Sequence, residues 1–534
     1  MRGKNDKDSV TYRNTGSLSP VGGLPWGFRY NVQSKGFRIH GTGSRRGGTA
    51  VPVSEHLTGE QTRPTRFHPG SLQDPGAILL ISCYELGRQP LGVAFPLSFL
   101  QQSGYEPEVL DISIQELDEK KIARARFVGI SVPMHTALRL GVQVAERVRE
   151  INLACHICFY GLYATLNADY LLEHWADSVI GGEIEAPLVQ LIGVLERGDR
   201  APIPGIARRQ QNAGPFLEKL SFPVPSRHSL PDLTKYARLE QGGEQRLVGT
   251  VEASRGCKYM CLHCPIPPVY GGRFFVVPSE VVLKDIRNLV GAGASHITFG
   301  DPDFLNGPAH SLRIVRAMHR EFPEVTFDFT AKIEHIVKHR AIFPELSALG
   351  CLFVVSAVES LSDVVLGHLE KGHTCADVVT SLEILREAGI TLRLSLVSFT
   401  PWTTLDDYIE VLEFVENHGL IDQVDSVQYS IRLLVPPGSA LLKRPAIRPF
   451  LGELDQASFL YPWVHPDPRV DLLYHEVSAV VEEAACSGEE PVKTFQRVRE
   501  LAYRMRGDPV PAGVPAGLDS VKRRAPRLTE SWFC

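Results

Sequence analysis

The chain lacks any apolar run long enough to cross a bilayer. Its longest, such as Cys351 to Val358, fall far short of the roughly 20 residues a membrane helix needs. Met1 to Val10 is polar and has no signal-peptide core. A strong excess of one charge is also missing. Lys and Arg number 56 against 61 Asp and Glu, and the net charge of −5 predicts no general affinity for nucleic acid. Cysteine is sparse, 10 in 534 residues, with no disulfide-scaffold pattern, so a reducing cytoplasmic setting is expected. No second cysteine pair stands near the one dense group of thiols, which disfavours a four-ligand zinc site.

That dense group is the informative part of the chain. Cys257, Cys261 and Cys264 form a C-x3-C-x2-C spacing within eight residues. Such clustering points to a metal site. Only His263, inside the run, could complete a zinc set. Three thiolates suit a [4Fe–4S] cluster better, because one iron is then left open to a ligand. Gly256 before and Pro265 after predict an irregular wrapping loop rather than a helix.

A length of 534 residues exceeds one core and implies several domains. Residues 1–75 are rich in Gly, Ser, Thr, Arg and Pro and are expected to form a disordered extension. From 76 to 199, apolar strands alternate with amphipathic helices. Strands are expected at Ala77 to Ser82, Glu108 to Asp111, Phe127 to Val132, His156 to Tyr160 and Ser178 to Ile180. Helices are expected at Leu91 to Gln102 and Thr136 to Glu150. This alternation predicts a Rossmann-like, doubly wound parallel sheet with its ligand at the carboxyl ends of the strands. Residues 200–245 read as a linker.

A second α/β series spans 246–436, with strands expected at Leu247 to Ala253, His296 to Phe299, Val325 to Ala331, Leu352 to Val358, Leu392 to Ser398 and Ser426 to Leu434. Six such units fit a partial (β/α)6 barrel, whose chemistry sits at the C-terminal strand ends. The cysteine loop directly follows the first of them. Residues 437–506 read as a small, mainly helical C-terminal subdomain or barrel lid, and 507–534 as a flexible tail ending in Cys534. Cys83, Cys155, Cys158, Cys351 and Cys375 read as packing residues.

The C-x3-C-x2-C run resembles the signature loop of the radical S-adenosylmethionine enzymes. The resemblance implies that Cys257, Cys261 and Cys264 hold a [4Fe–4S] cluster whose open iron chelates S-adenosylmethionine. An electron from the cluster then splits the sulfonium and leaves a 5′-deoxyadenosyl radical. His263 takes the usually aromatic position of the motif. Gly300, Asp301 and Asp303 stand where the family's Gly-Gly-Glu-type motif receives the methionyl amine, and Asp301 with Pro302 departs from that motif. Glu359 and Ser360, ending the fourth strand, and Ser395 on the fifth are the other expected contacts to S-adenosylmethionine. Arg393 is a weaker candidate, and Lys332, Glu334 and His335 could line the substrate side.

The N-terminal sheet resembles the cobalamin-binding domain of a radical S-adenosylmethionine subgroup. The resemblance rests on the runs from Glu85 to Gly92, Ser131 to Pro133, Gly161 to Thr165 and Gly181 to Glu185. It implies cobalamin contacts from Gly87, Gln89, Ser131, Gly161, Gly182 and Glu183. The cobalt-ligating D-x-H-x-x-G pattern would fall on Gly87, Gln89 and Gly92, so Gln89 occupies the histidine position. A support domain without cobalamin is the alternative. From about Ala77 onward the chain also resembles a family whose tail reads Cys-Sec-Ala-Glu-Pro or Cys-Cys-Ala-Glu-Pro. Cys534 would then be half of a redox pair.

Together these readings imply reductive cleavage of S-adenosylmethionine, with cobalamin-dependent methyl transfer or rearrangement on a small-molecule or peptide substrate. An electron donor such as flavodoxin or ferredoxin is the expected partner, and no membrane association is expected. A methylthiotransferase acting on RNA or protein is the rival enzyme, although no strongly basic RNA-binding domain follows the barrel. A non-catalytic iron–sulfur redox sensor is the reading from another class.

Overall fold

The computed structural model describes residues 71–199, 201–511 and 525–530. Most of the expected extension, residues 1–70, and Cys534 lie outside the described residues. The first sheet is built from β1 (Ile78–Ser82), β2 (Glu108–Asp111), β3 (Phe127–Ser131), β4 (His156–Tyr160), β5 (Ser178–Ile180) and β6 (Ile206–Ala207). Every residue of β1, β3 and β4 is buried, which explains their unbroken apolar character: helices cover both faces. The strand order is β2-β1-β3-β4-β5-β6, parallel except for β6. The helices Leu91–Gln102 and His135–Ile151 lie where the periodicity placed them. Strand order reverses beside β1, so the loops after β1 and β3 diverge and leave a crevice at their carboxyl ends.

The second sheet starts with a hairpin of β7 (Arg238–Gln241) and β8 (Glu244–Val251). The chain then makes a small antiparallel pair, β9 (Ser254–Gly256) with β10 (Phe274–Val276). Parallel to β8 run β11 (His296–Phe299), β12 (Thr326–Thr330), β13 (Cys351–Glu359) and β14 (Thr391–Leu396), giving a half-barrel. Phe299, Phe304, Phe327 and Phe329 fill the layer between this sheet and its outer helices.

Three expectations need correction. The sixth strand, Ser426 to Leu434, is instead a 3-10 turn over Ser426–Ser430, followed by one parallel bridge, Phe399 to Arg432. Side chains take over the ladder there. The Gln428 carboxamide oxygen accepts the Leu396 N–H at 2.8 Å, and Tyr408 donates its hydroxyl to the Tyr429 carbonyl. The expected C-terminal subdomain shares the barrel's core, because Val470, Leu473, Val477, Phe495 and Val498 belong to the same apolar cluster. Part of the expected flexible tail is a strand, β15 (Arg527–Leu528), paired antiparallel with β7. An open sheet edge needs such a partner. Leu528 packs against the cluster of Leu239, Val248 and Phe353, and Glu530 meets Arg88 at 2.5 Å.

The stretch 201–245 has few regular elements but is firmly tied down. Arg227 binds the Asp285 carboxylate at 2.7 Å and the Gln89 carboxamide at 2.8 Å. The two sheets are joined by Arg255, whose guanidinium lies over the rings of Phe95 and Phe222.

Candidate active site

β8 carries the chain to the barrel mouth, and β9 turns it at Gly256, where φ is +73°. A Cβ at that position would lie 2.5 Å from the Arg273 carbonyl oxygen, so the β9–β10 hairpin closes only on glycine. The thiols follow at once. Cys257 and Cys261 are buried and Cys264 is half-buried. The loop is fastened by Leu262 N–H donating to the Leu369 carbonyl at 3.0 Å. Burial pushes the Cys264 thiol up to about 12, and the charges of Cys261 and Cys257 add to that shift. Burial raises Cys257 as well. The loop thus gathers three thiols in largely buried surroundings, where a bound metal would deprotonate them.

Among the described residues, no three His, Cys, Asp or Glu side chains converge on a single metal ion. A cube does not ask for that. Each thiolate takes a different iron, so the sulfurs stand around a cluster rather than about a point. The donor set fits a [4Fe–4S] cluster with one open iron and does not fit mononuclear zinc.

Beside the loop lies a chain of charges that the sequence only half revealed. His263 Nε2 and Lys371 Nζ each lie 3.1 Å from Oε1 of Glu359. Burial alone would raise the Glu359 carboxyl, but Lys371 and His263 outweigh it and hold the group well below the usual carboxylate range. Glu359 sits at a register shift that ends β13, with φ at +64°, a strained conformation for a non-glycine residue. His263 Nδ1 is buried without a hydrogen-bond partner, as is Nδ1 of His373. Lys371 carried no motif signal. Only its burial, at 3% exposure beside an acid 12 residues away in sequence, reveals it.

The turn after β11 divides its acids between two tasks. Asp301 accepts the Ala253 N–H at 2.9 Å and the Ser254 hydroxyl at 2.6 Å, so both oxygens hold the root of the cysteine loop. Asp303 lies 2.8 Å from His335 Nδ1, and His335 Nε2 lies 2.9 Å from the Tyr259 hydroxyl. Lys332 Nζ stands 3.4 Å from the centre of the Tyr259 ring. Lys332, His335 and the cysteine loop are thus brought together at the mouth. Ser360 is buried, its hydroxyl accepting the Ser362 N–H, while Ser395 lies half-buried on β14 opposite Ala357. Arg393 is held elsewhere, on Asp425 and the Pro526 carbonyl.

A cavity of about 300 Å³ separates the carboxyl ends of the two sheets. On one side it is lined by Gln89, Ser131, Gly161 and Gly182, all expected from sequence; on the other by Gly256 and Gly300. Gly87 and Glu183 stand outside the lining. Glu183 instead takes a hydrogen bond from the Tyr270 hydroxyl and an ion pair from Arg255, which also binds Glu185 and Glu252. Gln89 is held at both ends of its carboxamide, by Arg227 and by the Pro231 carbonyl. It is a brace between linker and sheet, with both ends of its carboxamide engaged. Cys83, Cys155, Cys158 and Cys351 are buried as expected of packing residues, and Cys375 is half-buried.

Residues 251–415 match the family model of the radical SAM superfamily, so the half-barrel is a radical SAM domain. Such a domain implies a [4Fe–4S] cluster and S-adenosylmethionine. The hopanoid C-3 methylase of Methylococcus capsulatus is 24% identical over 324 residues, 59% of this chain and 62% of that protein. The match therefore spans less than two thirds of that relative's length. Among solved structures, the cobalamin-dependent S-adenosylmethionine radical enzyme OxsB, with aqua-cobalamin and S-adenosylmethionine bound, superposes with a TM-score of 0.63 at 16% identity. That likeness covers 80% of this chain and 72% of OxsB. The radical S-adenosylmethionine methyltransferase TsrM from Kitasatospora setae, with cobalamin and a [4Fe–4S] cluster bound, gives 0.57 at 15% identity, covering 80% of this chain and 99% of TsrM. At these identities the likeness is one of fold: a Rossmann-like sheet followed by a half-barrel. No helix of the described residues is long and apolar enough to cross a membrane.

Proposed function

We propose that this chain is a cobalamin-dependent radical S-adenosylmethionine enzyme that transfers a methyl group to an unreactive carbon. One observation carries the reading: a single cavity is lined by Gly256, at the root of the three-thiol loop, and by the strand-end residues Ser131, Gly161 and Gly182 of the N-terminal sheet. Its volume is at the lower end of the range of ligand pockets, enough to enclose part of a large cofactor. When bound, the cluster supplies the electron that cleaves the sulfonium, and cobalamin carries the methyl group. The protein's own part is positioning. Lys371 and His263 keep Glu359 ionised for a polar group of S-adenosylmethionine, with Gly300, Asp303, Ser360 and Ser395 as further contacts and Asp301 supporting from behind. Gln89, engaged at both ends, leaves the corrin without a ligand from this position.

A flavodoxin or ferredoxin as electron donor, and the reducing cytoplasm as location, complete the proposal. Membership of the family with the Cys-Sec-Ala-Glu-Pro or Cys-Cys-Ala-Glu-Pro tail belongs to it too, supported by the runs Lys332 to His335 and Glu359 to Asp363. Anaerobic reconstitution with dithionite and S-adenosylmethionine, with iron, sulfide and cobalt quantified together, tests it. The expected products are S-adenosylhomocysteine and 5′-deoxyadenosine from a protein that holds cobalt. 5′-Deoxyadenosine without cobalt would retain the radical class and remove the methylase. Neither product would favour a redox sensor.

A further inference from the structure

We infer that the side-chain amide of Asn306 donates a hydrogen bond to the sulfur of Cys257 once that sulfur is bound to iron, and so helps to set the potential of the cluster. The inference rests on reading Cys257, Cys261 and Cys264 as cluster ligands. Asn306 ends the 3-10 turn Phe304–Asn306, which Asp303 starts by accepting the Leu305 N–H at 3.0 Å. It is 1% exposed. Two contacts clasp it to the cysteine loop: Lys258 Nζ donates to its carbonyl at 2.6 Å, and the Lys258 N–H to its Oδ1 at 3.4 Å. The same Oδ1 stands 4.0 Å from Cys257 Sγ, and the amide nitrogen Nδ2 is buried with no partner.

A buried amide donor without an acceptor is a defect that calls for an explanation. The state of the sulfur supplies one. A protonated thiol can donate to Oδ1, whereas an iron-bound thiolate has no proton and only accepts, so it would face another acceptor. A half-turn of the amide exchanges its oxygen and nitrogen. Nδ2 then gains the sulfur as acceptor, and the two acceptors no longer oppose one another. What is given up is the long contact from the Lys258 N–H. Hydrogen bonds to cluster sulfurs draw electron density from them and favour the reduced, more negative cluster. Asn306 thus raises the potential, and the clasp by Lys258 holds it in register.

The test is an EPR-monitored redox titration of the reconstituted protein, with iron and sulfide counted in parallel. In Asn306→Ala the midpoint potential falls; in Asn306→Asp, where an acceptor faces an acceptor, it falls further. A second measurement needs no variant. Protein carrying asparagine isotopically labelled at the side-chain nitrogen should show hyperfine coupling of that nitrogen in pulsed EPR of the reduced cluster. Unchanged potentials in fully loaded variants overturn the inference, as does absent coupling in the unaltered protein, whether or not the variants load iron. An unaltered protein that assembles no cluster overturns the reading of the cysteines and the inference together. A cluster without the coupling sinks the inference alone.

Discussion

At the barrel mouth two buried carboxylates each have a basic partner, while Asp301 is met by the Ala253 N–H and the Ser254 hydroxyl. Glu359 pairs with Lys371 at 3.1 Å, and Asp303 with His335 at 2.8 Å. Across the cavity, Glu183, Glu185 and Glu252 share the single guanidinium of Arg255, while Glu85 is met by the backbone N–H groups of Leu91 and Gly92. The outcome for protons differs accordingly. Glu359 is held ionised, whereas burial raises Glu85 to about 8 and Glu183 to about 7. The fixed charge of Glu359 stands beside the place expected to exchange an electron, whereas Glu85, which can take up or release a proton, lines the cavity expected to hold a flat cofactor. Burial is common to both; what separates them is the number of cations supplied.

Ways to break that contrast can be ranked by size. Removing a thiol acts on the mouth most severely. Cys257→Ala, Cys261→Ala or Cys264→Ala should each drop iron loading and 5′-deoxyadenosine formation to background, as read by iron assay and chromatography. Arg255→Met should come next, because it leaves the buried Glu183 and Glu185 and the half-buried Glu252 without their shared cation. A loss of about 3–5 kcal/mol in urea unfolding is expected, with Glu183→Gln in the same chain restoring part of it. Lys371→Met leaves Glu359 with His263 as its remaining partner and should lie at the lower end of that range, about 3 kcal/mol. Adding Glu359→Gln should recover most of the stability but not the affinity for S-adenosylmethionine, measured by calorimetry on the loaded protein.

Smaller effects sharpen the comparison from the cavity side. Gln89→Ala removes a brace, so a stability loss of about 1–2 kcal/mol is expected with cobalt content unchanged. Lost cobalt at retained stability would instead make Gln89 a ligand. The mildest test is pH. The folded chain keeps the Glu85 proton up to about 8, whereas the ordinary carboxyl value is 4.5. Its contribution is therefore complete below about pH 4.5, declines as pH rises and is gone above about pH 8. Glu183 and Asp301 act in the same sense up to about 7. Glu85→Gln should flatten the decline in thermal stability of the cofactor-free protein between about pH 5 and pH 8.

The parts legible in the sequence were those written in consecutive residues. The apolar run of β1 and the periodic face of His135–Ile151 declared themselves, because burial on both faces or on one stripe leaves a local pattern. The sixth barrel strand misled because Ser426 to Leu434 has strand-like composition, yet the Gln428 side chain satisfies the edge of β14 in place of a ladder. The tail misled in the opposite sense. Two residues, Arg527 and Leu528, gain strand geometry only from the open edge of β7. Gln89 could be read as a displaced ligand until Arg227, from a stretch expected to be a linker, was found holding it.

The sequence by itself determined the three-thiol loop, its turn at Gly256 and the alternation of strands and helices, since each follows from spacing within a few residues. Only the tertiary structure decided which charges meet: Arg255 with Glu183, 72 positions apart, and His263 with Glu359, 96 apart. It alone also made one cavity from the ends of two sheets. Pairings of that kind depend on how distant strands are laid side by side, and an ion's burial has meaning only once its surroundings have closed around it.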